Sequence, residues 1–205
     1  MSTTRQRLAD VPTTRWKNGK GTTRELLRVP AQNDPDDFVL RVSVADVNAD
    51  GAFSLYPGID RITAILRGSG MDLIDESDGA VWETLAGRFS SLAFAGERQL
   101  RGRLLDGPVQ DFNVMVSRDA GVAALRIVDG PCSVPVSTCR LLFVPQGSAC
   151  IVFDDGSTLV LDTSEFIEPI GAASVATASD SVAFLVDFSP RDFPARHKAS
   201  ASRPS

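Results

Sequence analysis

ITAILRGSGMDLIDESDGAVWETLAGRFSSLAF, residues 62–94, is the stretch that decides the fold class. Three turn signals punctuate it: Arg67-Gly68-Ser69-Gly70, Asp78-Gly79 and Gly87. Between them lie short apolar runs at 62–66, 71–74, 81–85 and 89–94, of strand rather than helix length. Asp-Gly and Gly-Ser steps supply the tight turns that reverse a strand onto its neighbour. The stretch therefore predicts strands joined by hairpins.

The second half of the chain repeats this pattern. Gln146-Gly147-Ser148 parallels Arg67-Gly68-Ser69, and Asp155-Gly156 parallels Asp78-Gly79. Residues 159–161 parallel 81–85, Phe166 parallels Phe89, and an apolar strand at 182–186 closes the second set. Short strands, turn signals about every eight to twelve residues and an internal repeat indicate an all-β sandwich or barrel made of two related halves.

Three further strands carry polar residues in alternation with apolar ones. Residues 23–29 would place Glu25, Leu27 and Val29 on one face and Arg24, Leu26 and Arg28 on the other. In 38–44 the faces are Leu40, Val42 and Val44 against Val39, Arg41, Ser43 and Ala45. In 109–117 they are Asp111, Asn113 and Met115 against Phe112, Val114 and Val116. Strands apolar on both sides but polar in places suit a sandwich or barrel whose interior holds a polar site.

Composition excludes several chemistries. The single histidine, His197, lies in a Ser-, Ala- and Pro-rich tail after Pro190, expected to be disordered. The body therefore has no Ser-His-Asp or Cys-His nucleophile and no imidazole-ligated metal centre. A net charge of −5 argues against nucleic acid and anionic membranes as partners. No apolar run approaches the roughly 20 residues of a membrane span, and MSTTRQRLAD lacks a secretory core, so the cytoplasm is the default. Cys132, Cys139 and Cys150 have neither the number nor the spacing of a disulfide framework or zinc site, and are expected to be buried thiols in strands.

WKNGKGTTRE, residues 16–25, is the stretch least like scaffold. Its Gly-Lys step is not a phosphate-binding loop, because Thr14 stands where the first glycine is needed and a strand follows instead of a helix. Glu25, Asp50, Asp60 and Asp111 are the carboxylates available for acid–base work. Arg24, Arg41 and Arg61 could converge on a carboxylate, since guanidinium presents paired donors to planar oxyanions. With Asn18, Ser43 and Asn113 nearby they outline a small polar pocket.

W-K-N-G-x-G-T-x-R-E at 16–25, R-V-S-V-A-D-V at 41–47, D-G-x-F-S-x-x-P-G-I-D-R at 50–61 and D-F-N-V-M at 111–115 resemble the HutD/Ves family in order and spacing. The likeness covers about residues 8–190. It implies a bicupin, two tandem small β-barrels of the RmlC-like jelly-roll kind. The first would span 8–118 and the second 119–190, with N-terminal strands able to swap into the second, and 191–205 forming the disordered tail. It also implies a cytoplasmic regulator of histidine utilisation that binds a small carboxylate, with urocanate, formylglutamate and formate as candidates. No catalytic residue, cofactor or metal comes with the resemblance, since cupin metal sites use histidines that this body lacks. A homodimer is the other candidate partnership.

Strand direction and resemblance together point to Trp16, Asn18, Glu25, Arg41, Ser43, Arg61, Phe112 and Asn113 as ligand-binding residues, with Arg24 pinning its strand. Relatives usually carry three successive glycines in the first motif, and here the middle one is Lys20, which adds charge and bulk beside the ligand. Two other readings stand beside this one. The first is a metal-free enzyme acting on a histidine-degradation intermediate, with Glu25 or Asp111 as a general base of raised pKa. The second is an interaction module that uses its sheet edges.

Overall fold

Nineteen strands and one turn of 3-10 helix, Leu8–Asp10, form the regular structure of the described residues, which in this computed structural model are 5–32, 34, 37–168 and 170–191. The expected tail beyond residue 191 lies outside them. Among the described residues there is no α-helix, and no helix is long and apolar enough to cross a membrane.

The chain opens with β1 (Gln6–Arg7), β2 (Thr13–Arg15), β3 (Gly21–Pro30), β4 (Phe38–Val47), β5 (Gly51–Ala52) and β6 (Ile59–Arg67). It continues through β7 (Gly70–Asp75), β8 (Val81–Ala86), β9 (Ser91–Ala95), β10 (Leu100–Leu104) and β11 (Val109–Ser117). The second half comprises β12 (Gly121–Asp129), β13 (Cys132–Val136), β14 (Cys139–Gln146) and β15 (Ser148–Phe153). It ends with β16 (Thr158–Asp162), β17 (Glu165–Ile167), β18 (Ala173–Thr177) and β19 (Val182–Pro190).

Strand order carries the repeat. In the first half, β4-β11-β6-β9 form one sheet, extended at its β4 edge by β3 and β2, and β5-β10-β7-β8 form another. The second half runs β12-β19-β14-β17, extended at its β17 edge by β1, and β13-β18-β15-β16. Each second-half order is its first-half counterpart moved eight strands along the chain. The N-terminal strand therefore pairs with the second set, Gln6 opposite Phe166 and Arg7 opposite Glu165.

The turn glycines explain why the repeat was visible. Gly68 and Gly147 occupy the same hairpin turn in the two halves, at φ of 92° and 69°, where other residues are strained. A side chain would also strike the carbonyl of Pro108 at Gly68 or Ser181 at Gly147. The pairing of Phe89 with Phe166 is not structural. Phe166 sits in β17 opposite Phe143, whereas Phe89 occupies a positive-φ turn position ahead of β9. Measured from the two glycines, Ala64 matches Phe143, and the partner of Ala64 is Ser91. Phe89 enters the same core from its turn, edge-on to Phe184 at 5.7 Å.

The two long sheets share a core. Leu40, Val42, Val44, Phe112 and Val114 pack with Leu141, Phe143, Phe166, Phe184 and Val186. Beyond it the halves differ. In the second half the other face of the long sheet is filled by Leu142, Val144, Ala183 and Leu185 against Ile151, Leu161 and Val175. In the first half, Thr63, Asn113 and Asp111 stand at the positions of Leu142, Leu185 and Ala183, and side chains of that size and polarity leave space unfilled. Of the three cysteines, all free and all in strands, only Cys139 is buried, so the expectation of buried thiols holds for one of three. Burial, with Asp187 nearby, pushes the Cys139 thiol up to about 12.

Candidate functional site

Four neighbouring strands, β3, β4, β11 and β6, carry three cross-strand rows on one face. The first row is Thr23, Ala45, Asp111 and Ile65; the second is Glu25, Ser43, Asn113 and Thr63; the third is Arg28, Arg41, Met115 and Arg61. Alternation along each strand puts every second residue on this face and the apolar ones between them into the shared core. One irregularity matters. A register shift between Glu25 and Leu27 lets Leu26 and Leu27 both turn toward the core while Glu25 stays on the site side. Glu25 and Leu27 therefore do not share a face, contrary to simple alternation.

Above these rows lies a cavity of about 590 Å³. Ser43, Ala45, Asp111, Asn113 and Met115 line its floor, Phe53, Tyr56 and Met71 its far wall, and Trp16, Lys17, Asn18 and Lys20 its rim. Of the residues singled out from sequence, Trp16, Asn18, Glu25, Arg41, Ser43, Arg61 and Asn113 all line it. Phe112 does not. It faces the opposite way and stacks on Phe143 in the core, because it is the odd residue between Asp111 and Asn113.

The floor is a buried polar network. Asn113 donates through its Nδ2 to Asp111 Oδ1 at 2.8 Å, and its Oδ1 accepts from Thr63 Oγ1 at 2.9 Å and from Arg61 at 3.3 Å. Arg61 has one further long contact, to the carbonyl of Ser54 at 3.4 Å, and its Nε has no partner. Its guanidinium lies over Phe53 at 5.0 Å, Phe94 at 5.1 Å and Tyr56 at 5.8 Å. Burial lowers the Arg61 pKa, and the Asp111 charge opposes that shift. Burial likewise pushes the Asp111 carboxyl up to about 6, against the pull of Arg61 and of hydrogen bonds from Asn113 and the Ala45 backbone.

The remaining charges sort into roles. Arg41 Nε meets Glu25 Oε2 at 2.5 Å, and Arg28 approaches the same oxygen at 3.6 Å. Arg24 lies outside the cavity lining and binds Asp46 at 2.8 Å, so the three arginines do not converge. Burial pushes Asp46 up, but hydrogen bonds from Gln110, Arg24 and Thr22 together hold it below the usual carboxylate value. Asp60 is paired with Arg118 at 2.6 Å, and Asp50 accepts from the Leu104 backbone at 2.9 Å; neither lines the cavity. No cluster of three potential metal-ligating side chains occurs among the described residues.

Trp16 is fixed from two sides. Its Nε1 donates to Thr23 Oγ1 at 2.7 Å, and its ring lies over Gly21, where an added Cβ would stand 2.9 Å away. The residues that sequence reasoning underweighted are Asp111, Thr63, Phe53, Tyr56 and Met115. Alternation in 109–117 already put Asp111 and Met115 beside Asn113, whereas nothing in the apolar run 62–66 marks Thr63 as a site residue.

Comparison with known proteins bears on the family and the fold. An uncharacterized 21.2 kDa protein in the hutC 3' region of Pseudomonas putida is 38% identical over 124 residues, 60% of this chain and 63% of that protein. Protein Ves of Cronobacter sakazakii is 37% identical over 120 residues, 58% of this chain and 63% of that one. The match thus spans less than two thirds of the length of these two relatives. The structure of HutD from Pseudomonas fluorescens SBW25, solved in a formate condition, superposes with a TM-score of 0.75 at 27% identity over 93% of this chain and all of that one. A cupin 2 conserved barrel domain protein from Leptotrichia buccalis, 10% identical with a TM-score of 0.57 over 91% of this chain and 96% of that one, shows that the fold is cupin-like. The family model described as HutD matches residues 8–182, which include all of the cavity-lining residues, and the chain belongs to the HutD family.

Proposed function

We propose that this chain is a non-catalytic, regulatory bicupin of histidine utilisation that binds a small carboxylate in the first-half cavity. The observation that carries the reading is Arg61. A guanidinium has five N–H donors, and this one is buried at the cavity wall with two long contacts and an Nε without a partner. Leaving buried donors under-bonded costs about 1–3 kcal/mol each, more for charged groups, and a planar carboxylate is the group that relieves it. Asn113, Thr63 and Ser43 supply neutral polar groups around that position. The cytoplasm fits a chain that binds soluble pathway intermediates.

The repeated strand order and the cupin-like neighbours support two cupin units, 8–118 and 119–190, with β1 crossing to the second. Among the described residues, only the first carries the polar floor.

Thermal unfolding with urocanate, formylglutamate and formate tests the reading. A ligand at about 100 times its Kd stabilises by about 2.7 kcal/mol, a rise of roughly 5–10 °C for a chain of this size. No shift with any of them at millimolar concentration would overturn it.

Asp111 favours a second reading. A carboxyl at about 6 in the cavity floor beside an arginine suits a general base, whereas Glu25 is exposed and already ion-paired. Turnover of formylglutamate or formiminoglutamate, lost in Asp111→Asn, would establish it; absence of turnover retires it.

A further inference from the structure

Arg61 and Asp111 form a balanced pair in the cavity floor. Both are buried, and Asn113 links them: its Oδ1 accepts from Arg61 at 3.3 Å and its Nδ2 donates to Asp111 Oδ1 at 2.8 Å. One cation and one anion thus share a neutral amide.

The other groups around Asp111 do not replace Arg61. In its own row stand Thr23, Ala45 and Ile65, and Met71 and Gly102 line the cavity from the opposing sheet. Asp46, next to Ala45 on β4, adds a like charge and is itself held by Arg24. Arg41 lies two rows away, in its pair with Glu25 of β3. Tyr56 lies against Arg61, and Lys20 sits at the rim with its Nζ on the Asp50 carbonyl. Arg61 is the cation that acts on Asp111.

A ligand carboxylate at Arg61 breaks this balance. Asn113 and Asp111 stand in adjacent rows of β11, two residues or about 7 Å apart, and Arg61 reaches back to the Asn113 row. The incoming group therefore brings a second anion within about 7 Å of Asp111, with one guanidinium to serve both. Two carboxylates that share a buried site do not both stay ionised; one takes a proton. The ligand holds the direct contact to Arg61, so the proton goes to Asp111. Burial already pushes the Asp111 carboxyl up to about 6, which makes that step a short one.

We infer that the cavity takes up a carboxylate together with one proton from solvent, and that the proton settles on Asp111, which stands beside the ligand as a neutral acid. The inference rests on the carboxylate-binding reading above and adds a proton-linked affinity with Asp111 as its seat. The protonated carboxyl keeps the bond from Asn113 on Oδ1 and turns its O–H toward the ligand oxygen, a charge-assisted bond. A general base, by contrast, would have to stay ionised with the ligand in place.

Calorimetric titration with formate and with formylglutamate, both ionised across pH 6–8, tests this in two buffers of different ionisation heat. At pH 7.5 the wild-type protein is expected to take up about 0.5–1 proton per ligand, and affinity is expected to fall at least tenfold from pH 6 to pH 8. Asp111→Asn holds the position neutral; it is expected to show no uptake, no pH slope, and at least fivefold tighter binding than wild type at pH 8. Binding to the wild-type protein without proton uptake would overturn the inference and leave the carboxylate reading standing; this comparison needs no variant. Uptake that persists in Asp111→Asn would overturn it by placing the proton elsewhere. A folded Asp111→Asn protein that binds neither ligand would overturn it as well, because the ionised carboxylate would then be the binding group. If neither compound binds the wild-type protein at any pH, both readings fall.

Discussion

Phe112 and Phe143 stack with ring centroids 5.6 Å apart and planes 17° from parallel, one ring from each half of the chain. Phe184 meets Phe112 edge-on at 5.3 Å. Because all three rings are fully buried in one cluster, the halves are bound by a common core. Phe112→Ala is expected to cost about 3–5 kcal/mol, read from denaturant unfolding, with both halves unfolding in one transition. Carboxylate affinity should stay within twofold in the folded variant, since the ring faces away from the cavity. Two separated transitions in the wild-type protein would contradict the shared core.

Asp111 makes stability depend on pH. Its folded pKa of about 6 lies above the ordinary 3.8, so the folded state binds the proton more tightly than the unfolded one. The carboxyl is therefore tolerated fully at low pH, and the burial penalty develops as pH rises from about 4 through 6. At 1.36 kcal/mol per pKa unit the penalty at neutral pH is roughly 3 kcal/mol. Wild type should lose about that much relative to Asp111→Asn between pH 4 and pH 7.5, measured by urea unfolding at each pH. A difference that is flat across that range would show that Asp111 titrates normally.

The Glu25 carboxylate occupies the Nε donor of Arg41 at the cavity lining. With the Glu25 side chain about a third exposed, removing the pair should change stability by less than about 1 kcal/mol. Glu25→Gln is expected to raise affinity for a small carboxylate two- to fivefold by releasing Arg41, an effect that shrinks in high salt. Weaker binding in Glu25→Gln would place the carboxylate of Glu25 itself on the ligand.

Gly21 gives Trp16 its seat. An alanine there would put Cβ 2.4 Å from the Asp46 carbonyl and 2.9 Å from the Trp16 ring. Gly21→Ala should cost about 1–3 kcal/mol, as overpacking does, and displace the indole from Thr23. A red-shifted tryptophan emission in Gly21→Ala, absent from Gly19→Ala, is the check; unchanged emission and stability would count against the packing described.

Much of this was legible in the residues. Turn glycines at 68 and 147 announced the hairpins, and alternation at 38–44 and 109–117 named the site face, because each rule follows from backbone geometry alone. What stayed hidden has physical reasons. The bulge at Leu26 is a register event that no residue type marks, so alternation misplaced Leu27, Arg28 and Val29 relative to Glu25. The run D-F-N-V-M carries residues from both faces of β11, so a motif taken whole drew Phe112 toward the site when only its neighbours belong there. Thr63 looks like an ordinary β-branched strand residue until its hydroxyl is seen on Asn113. The match of Phe89 to Phe166 arose because two loops differ in length and both halves feed phenylalanine to one core.

The most direct test is calorimetric binding of the carboxylate that best stabilises the wild-type protein, repeated on Arg61→Gln and Arg61→Lys, with unfolding checked for each. The account predicts at least a 30-fold loss of affinity in Arg61→Gln and incomplete recovery in Arg61→Lys, whose ammonium keeps the charge but not the fork of donors. A folded Arg61→Gln protein that binds the same carboxylate as tightly as wild type would contradict it.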